Sequence, residues 1–421
     1  MKIPKIKDPK NIKFKKPELV LLKNGIKLYL FKDSESKVCK IDFIFKAGTE
    51  YQDKAYLAGF ANNLIREGTK NMNPEQNAEF FDFYGSYVQG FINPFTSGIS
   101  LLCPNKFILE VLPQFSELVI NPLLPENIFE ILKIKTKEKI KIDLIQTKLR
   151  AHKELMSLIF GKNHQRSTLP SEELIEKLTI SEIKKFVENF YTKGDINIQI
   201  SGKIDYDLIK SLDENIGSQN SFNTFKPILI KDTVNPSVNK NSFINIPTAE
   251  QASVFAGINL GKISETELID ISILNTILGG YFGARLMKNI REDKGYTYGI
   301  YSYIVEYPET TLLLISADVR LQVYRETINE IFKEINILKS KAVHYTELTR
   351  VKNYMLGEII AGLNGAFETS AVWEKIISTE KSEDFLLKKI NRIKNISSTD
   401  IKKIAEKYLD EDKIFSTVAG R

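Results

Sequence analysis

Apolar and polar residues recur along this chain in two periods, one helical and one extended. Ile328, Ile331, Phe332 and Ile335, for example, share one face of a helix. This spacing predicts helices at 55–67, 127–157, 181–191, 266–278, 321–337, 343–362 and 398–408. Short runs rich in β-branched and aromatic residues predict strands at 41–45, 87–92, 99–103, 196–200, 253–260, 311–318 and 414–418. Because the strands come in clusters, the pattern predicts an α+β fold with helices on largely antiparallel sheets.

The same pattern occurs twice. Residues 181–203, SEIKKFVENFYTKGDINIQISGK, align without a gap on residues 399–421, TDIKKIAEKYLDEDKIFSTVAGR, at an offset of 218. Each copy is typical of an amphipathic helix, a turn and a strand that ends in glycine, at Gly202 and at Gly420. The shared apolar positions indicate a duplicated domain.

The two copies are separated by a stretch of different composition. Residues 216–247 are rich in Asn, Ser and Pro and have no long helical pattern, which is typical of a linker. We therefore predict a first domain at 1–215 and a second at 248–421.

The composition excludes several classes of protein. The chain is 43% hydrophobic and has a net charge of +6, with 59 basic and 53 acidic residues. Because the lysines are spread rather than clustered, we expect no nucleic-acid binding. No window is apolar enough for a membrane span. The N-terminal segment is basic but has no apolar core, which argues against a signal peptide. The expected location is therefore cytoplasmic, or periplasmic if a leader has been removed.

Neither the cysteines nor the histidines form a metal-binding pattern. The two cysteines, Cys39 and Cys103, suggest no disulfide framework. The three histidines, His152, His164 and His344, form no closely spaced pair. We expect each histidine to have a structural role or to be exposed.

Two segments carry a family resemblance: GGYFGARLMKNIREDKGYTY at 279–298 and LAGFANNLIRE at 57–67. With LKNGIKLYLFKD and KAGTEYQD before them, they resemble the pitrilysin/insulinase family of zinc metallopeptidases. The likeness is to its short-subunit branch, with mitochondrial processing peptidase and bacterial relatives. It implies the processing-peptidase-like fold, with two related α+β domains. It also implies that one chain is half of a clamshell that encloses a peptide.

The family's zinc motif, HxxEH, is absent where the resemblance places it. Counted back from Gly68, the motif falls on Gly59, Asn62 and Asn63, in place of the first histidine, the glutamate and the second histidine. Glycine has no ligand atom, and an asparagine amide is neither a good ligand nor a base. The last acidic ligand would fall near Ile142 and Asp143. We expect the helix only to pack, since its apolar stripe is intact; a relocated metal site is the alternative.

The family's second signature, RxxxGxxY, is present as Arg291 and Tyr298. In the family these residues reach substrate bound at the zinc. A guanidinium and a phenol are suitable donors to the oxyanion formed in peptide hydrolysis. The alternative is that Arg291 pairs with a surface carboxylate and Tyr298 is an ordinary sheet residue.

These observations predict a non-catalytic subunit of a heterodimeric zinc endopeptidase, inactive alone. It would supply the Arg and Tyr in trans to a homologous HxxEH-bearing partner that holds the zinc, and would itself hold no cofactor. The substrate class is unfolded peptide, and the isolated chain could form a homodimer. A purely structural or peptide-binding subunit is the second hypothesis. An enzyme that acts alone through an unrecognised metal site is the third.

Overall fold

The computed structural model describes residues 16–230 and 232–421. The prediction about the N-terminal segment therefore lies largely outside the described residues, as does position 231 of the predicted linker. The strands of the first half are β1 (Glu18–Leu21), β2 (Lys27–Lys32), β3 (Val38–Phe45), β4 (Tyr87–Ile92), β5 (Ser97–Pro104) and β6 (Ile196–Gly202). Its helices are α1 (Leu57–Leu64), α2 (Pro74–Phe83), α3 (Ile108–Ile120), α4 (Glu126–Ile145), α5 (Thr147–Phe160), α6 (Glu172–Glu176), α7 (Ile180–Val187) and α8 (Tyr206–Leu212).

The second half repeats this alternation of strands and helices. Its strands are β7 (Asn241–Asn245), β8 (Gln251–Asn259), β9 (Thr297–Glu306), β10 (Thr311–Arg320) and β11 (Ile414–Gly420). Its helices are α9 (Glu265–Leu278), α10 (Tyr324–Ser340), α11 (Tyr345–Ala361), α12 (Ala366–Ser378), α13 (Phe385–Asn395) and α14 (Ser398–Tyr408). In the described residues, no helix is both long and apolar enough to cross a membrane.

Each half forms one sheet, and the two sheets have the same topology. The strand order is β1-β2-β6-β3-β5-β4 in the first half and β7-β11-β8-β10-β9 in the second. Without the edge strand β1, the second order is the first shifted by five strands. In the first sheet β2 and β6 are parallel, and in the second sheet their counterparts β7 and β11 are parallel. The other neighbouring pairs are antiparallel in both sheets. The predicted α+β fold with two related domains is confirmed.

The register also repeats at the predicted offset. Gly202 ends β6 opposite Lys32, and Gly420 ends β11 opposite Asn245, so each final glycine pairs with the parallel neighbouring strand. The limits of the two domains, 1–215 and 248–421, stay predictions.

One predicted helix is wrong. The spacing at 127–157 predicts one continuous helix, but the structure has α4 and α5, separated at Gln146, whose backbone is extended (φ −73°, ψ 121°). The break lets α5 leave the first half and pack on the second sheet, against β8 and β11. A helical period continues through such a break, so the turn could not be read from the spacing.

The exchange of helices is reciprocal, because α12 of the second half packs on β2 and β6 of the first sheet. Thr417 on β11 donates a hydrogen bond to the Ala151 carbonyl on α5 (2.8 Å). At the position 218 residues earlier, Gln199 on β6 bonds α12: its amide can donate to the Ser370 carbonyl (3.1 Å) and accept from the Glu374 N–H (3.2 Å). Each half therefore contributes one helix to the packing of the other half's sheet.

A buried arginine adds a further link between the halves. Arg166 forms ion pairs with Glu50 of the first half and with Glu309 of the second. Its guanidinium lies 3.8 Å from the centre of the Tyr307 ring. Burial raises the pKa of Glu50, while the hydrogen bond from Arg166 opposes that rise. Since removal of one member leaves a buried charge unpaired, this group fixes the relative position of the two sheets.

Candidate functional site

The helix α1, which carries the positions of the zinc motif, is held by its apolar stripe. The predicted stripe is buried in the first core, at Leu57, Phe60, Ala61, Leu64 and Ile65. The helix begins after Tyr56, whose φ of +70° is unusual for a residue with a side chain. A hydrogen bond from the Ala58 N–H to Gln52 Oε1 (3.1 Å) satisfies one free donor of the first turn.

Gly59 faces open space. A Cβ atom built at this position would have no neighbouring atom within 4 Å, apart from the helix's own backbone. Gly59 lies in the wall of a cavity of about 490 Å³, to which α1, α5 and the segment around Arg166 contribute. We call this the Gly59 cavity. The room for a histidine at this position is present, but the side chain is not.

The side chain of Asn63, at the position of the second histidine, forms hydrogen bonds with neighbouring residues of its own helical segment. Its Nδ2 donates to the Gly59 carbonyl (2.8 Å), and its Oδ1 accepts from Arg66 Nη2 (2.9 Å). The two histidine positions of the motif are thus joined by a side-chain to backbone hydrogen bond along the helix.

Asn62, at the position of the catalytic glutamate, has become part of the core. It is 4% exposed, and its Nδ2 donates to the Gly98 carbonyl (2.8 Å) and to the Tyr191 hydroxyl (3.2 Å). A Cβ at Gly90 would lie 2.2 Å from Asn62 Oδ1, so the amide fills the space above that glycine. A glutamate here would place a carboxylate against the Gly98 carbonyl, which is also an acceptor.

The residues present do not fit a zinc ion. In the described parts of the chain there is no group of three His, Cys, Asp or Glu side chains that could hold a metal. Asp143, near the expected last ligand, lies close enough to Tyr56 to add to the rise in the tyrosine's pKa, which burial causes first. It is therefore near α1, as the resemblance implies, but the described residues place it in no group that could hold a metal.

The histidines have other surroundings, as expected. His152 lies in the wall of the Gly59 cavity, and its ring meets that of Phe255 edge-on at 5.5 Å. Burial, with the nearby Lys153, lowers the pKa of His152 to about 4. His164 is buried and stacks on Phe160 at 4.8 Å. His344 caps α11, where its Nδ1 accepts from the Thr346 N–H (3.4 Å).

Arg291 lies on a wide, π-helical turn at Met287–Asp293 that follows α9. Its guanidinium lies 4.5 Å from the centre of the Phe282 ring, and that ring is 59% exposed. In the part of the chain that the structure describes, Arg291 has no ion pair within 4 Å. The arrangement is a surface cation–π contact, which leaves the N–H donors available. Sequence reasoning missed Phe282, although two adjacent aromatic residues between glycines, Tyr281 and Phe282, were a usable signal.

Tyr298 lies near the start of β9, where the pairing with β10 slips between Ala317 and Val319. Thr297 stabilises this bulge, since its hydroxyl donates to the Asp318 carbonyl (2.6 Å) and accepts from the Gly299 N–H (3.1 Å). A bulge redirects side chains out of the regular alternation. The Tyr298 side chain is 91% exposed, and the described residues offer its hydroxyl no hydrogen bond.

The glycines before Arg291 allow a close approach to β9. The Gly279 carbonyl accepts from the Ser302 N–H (3.1 Å), and a Cβ at Gly279 would lie 2.8 Å from that nitrogen. The segment that carries Arg291 is thereby held against the strand that carries Tyr298. Among the described residues, neither of these two side chains lines the Gly59 cavity, so the chain does not bring its two signatures into one site.

We compared the sequence and the fold of this chain with those of known proteins. The sequence model described as "Peptidase M16 inactive domain" matches residues 177–355. An uncharacterized zinc protease, YmxG, of Bacillus subtilis is 22% identical over 384 residues, which cover 88% of this chain and 91% of the relative. The chain is thus similar to peptidase family M16 in the sequence of residues 177–355, and it has the fold of solved M16 proteins. This is the family that the residues at 57–67 and 279–298 resemble.

Two further M16 comparisons bear on the missing motif. A protein of Helicobacter pylori named non-peptidase homolog YmxG is 21% identical over 75% of this chain and 74% of its own. The crystal structure of a peptidase M16 inactive domain from Pseudomonas fluorescens has the same fold, with a TM-score of 0.83 at 20% identity over 96% of this chain and 98% of that one. The matching model describes an inactive domain and covers residues 177–355, and positions 59, 62 and 63, which lie outside that match, carry neither a zinc ligand nor a base.

Proposed function

We propose that this chain is the non-catalytic subunit of a heterodimeric zinc endopeptidase, in which a homologous HxxEH-bearing chain holds the zinc. The observation that carries the proposal is the state of Arg291 and Tyr298. Tyr298 is exposed and Arg291 is half-buried, and the described residues give neither of them an ion pair or a side-chain hydrogen bond. This arrangement disfavours the alternative in which Arg291 pairs with a surface carboxylate.

The chemistry proposed for the pair is hydrogen-bond donation to a bound peptide. When the partner cleaves a peptide bond, negative charge develops on the carbonyl oxygen, and a guanidinium and a phenol hydroxyl stabilise it. The stacking of Arg291 on Phe282 restricts the guanidinium before substrate binds, which lowers the entropy lost on binding. This chain would supply donors and part of the chamber, and no metal.

The test is a peptidase assay on unfolded peptides with this chain alone, with an HxxEH relative alone, and with both. Zinc content is measured in each sample. We expect no activity and no stoichiometric zinc from the chain alone, and activity above that of the relative from the mixture. Chelator-sensitive activity of the pure chain, or about one tightly held zinc that is lost on mutation within 59–63, would refute the proposal.

A purely structural or peptide-binding subunit is the second candidate, and the burial of Asn62 favours it. The helix of the motif now contributes to packing, so the whole chain could have become a scaffold. The two candidates differ in one measurement. A scaffold would support the partner's activity equally well without Arg291 and Tyr298. The oligomeric state of the isolated chain shows whether it forms a homodimer in place of the pair.

A further inference from the structure

The second half contains a groove that the proposed function does not use. It lies between α9, α11, α12 and α13, beside the end of β9, and has a volume of about 530 Å³. This is within the range of small-molecule sites, which is about 300–1,000 Å³. Its walls are mainly apolar, with side chains from every one of these elements: Leu268, Ile304, Ile359, Leu363, Val372 and Phe385. We call it the α12 groove.

The α12 groove is the counterpart of the Gly59 cavity in the duplicated fold. In chain order α9, α12 and α13 correspond to α1, α5 and α6, and the latter three contribute to the Gly59 cavity. The repeated contacts of Gln199 and Thr417 with the exchanged helices α12 and α5 support this correspondence. The duplication thus produced an opening at the same place in each half. The groove in the second half has no part in the zinc motif or in RxxxGxxY.

The charges of the groove are unbalanced. Three lysines line it, Lys375, Lys381 and Lys389, against Glu306 and Glu358. Glu306 is already occupied, because Lys381 donates to its Oε2. Glu358 is exposed to solvent on α11.

Among the described residues, neither Lys389 nor Lys375 has a carboxylate within 4 Å of its Nζ, and Lys389 is the less exposed of the two. Lys389 is half-buried on α13. Burial lowers its pKa, and the nearby Lys375 lowers it further, while Glu306 acts in the opposite direction. A charged group in an apolar wall is costly unless it is paired. A bound anion would supply the missing pairing and relieve the repulsion between the two lysines.

We propose that the α12 groove binds a small anionic amphiphile, an unbranched apolar chain that ends in a carboxylate. The carboxylate lies at Lys389 and Lys375, and the chain lies along Val372 and Ile359. The apolar walls select the chain, and the uncompensated lysines select the sign of the charge. This site is independent of the proposed role in peptide hydrolysis, since it shares no residue with Arg291, Tyr298 or the Gly59 cavity.

The test is a calorimetric titration of the purified full chain with decanoate, decanol and decyltrimethylammonium, each below its micelle-forming concentration. The fluorescence of Trp373 is a second readout, because this is the single tryptophan of the chain and lies on α12 next to Val372. We expect saturable binding of one decanoate per chain, about tenfold or more weaker binding of decanol, and none of the cation. Equal affinity for decanoate and decanol, or no saturable decanoate binding, overturns the proposal.

Two variants and one control locate the site. Lys389→Met keeps the apolar stem and should weaken decanoate binding about tenfold or more, while decanol binding stays the same. Lys388→Met removes the same charge from the neighbouring, more exposed position, which pairs with Asp384, and should leave both affinities unchanged. Ser272→Phe fills the groove from α9 and should abolish binding of both ligands, so it tests the site even if Lys389→Met does not fold. Equal effects of the two lysine variants, or full binding in Ser272→Phe, would place decanoate elsewhere.

Discussion

The two segments that carry the family resemblance differ in how the fold uses them. On α1, Asn62 is 4% exposed and hydrogen-bonded to the core, and Asn63 bonds the helix backbone. On β9 and the turn before it, Tyr298 is 91% exposed, and Arg291 stacks on the exposed ring of Phe282. The first segment has been absorbed into packing, whereas the second is still presented to solvent. Under the proposed function, the second segment would bind peptide and the first would only pack.

The largest expected effect concerns the presented segment. In the reconstituted pair, Arg291→Ala or Tyr298→Phe should lower turnover by up to about 100- to 1,000-fold, since each removes one donor to the transition state. The free energy of unfolding of the isolated chain should change by less than about 0.5 kcal/mol. Steady-state kinetics and urea unfolding measure the two quantities.

The matched control for that prediction is Arg325→Ala. Arg325 is also exposed in the second half, and its guanidinium lies 5.6 Å from the centre of the Tyr324 ring. It should leave turnover unchanged. If all three variants retain full activity, the chain is a scaffold and the contrast between the two segments has no catalytic meaning.

The next largest effect concerns the stability contributed by α1. Asn62→Ala removes the hydrogen bonds to the Gly98 carbonyl and the Tyr191 hydroxyl and leaves these buried groups without that partner. The free energy of unfolding should fall by about 1–3 kcal/mol. Asn63→Ala, one residue away and exposed, should change it by no more than about 0.5 kcal/mol. Urea denaturation compares the two, and equal costs would show that Asn62 is not a core residue in solution.

A pH effect should arise beside the Gly59 cavity. An ordinary histidine has a pKa of about 6.5, whereas burial holds that of His152 at about 4. Between these values the unfolded chain binds a proton that the folded chain does not, so the free energy of unfolding should fall as the pH drops from about 6.5 to 4. The contribution of His152 is about 1–3 kcal/mol. His152→Gln should flatten this part of the pH profile. An unchanged slope in His152→Gln would contradict the buried, neutral state of the ring.

The smallest expected effect on stability distinguishes Gly59, which has space for a side chain, from Gly279, which does not. Gly59→Ala should raise the free energy of unfolding by about 0.5–1 kcal/mol, because the new methyl group meets open space and alanine favours the helix. Gly279→Ala should lower it, since its Cβ would lie 2.8 Å from the Ser302 nitrogen. Thermal unfolding distinguishes the two signs. A loss of stability in Gly59→Ala would mean that the helix α1 is more closely packed than the cavity indicates.

The sequence by itself determined the duplication, the fold class and the loss of the zinc motif. These depend on residue identity and on local period: the offset of 218 residues, the alternation in strands such as β4, and the absence of ligand atoms at Gly59. The buried stripe of α1 was predictable for the same reason, because an amphipathic helix must bury its apolar face.

Only the tertiary structure decided where the amphipathic helices pack and which side chains meet. The helical period continues from α4 into α5, so nothing local shows that the chain turns at Gln146 and crosses to the other sheet. The burial of Asn62, the stacking of Arg291 on Phe282 and the unpaired Lys389 of the α12 groove all depend on residues far apart in sequence or on a wide turn. Local spacing determines which face of an element is apolar, but long-range packing determines what that face and its polar neighbours contact.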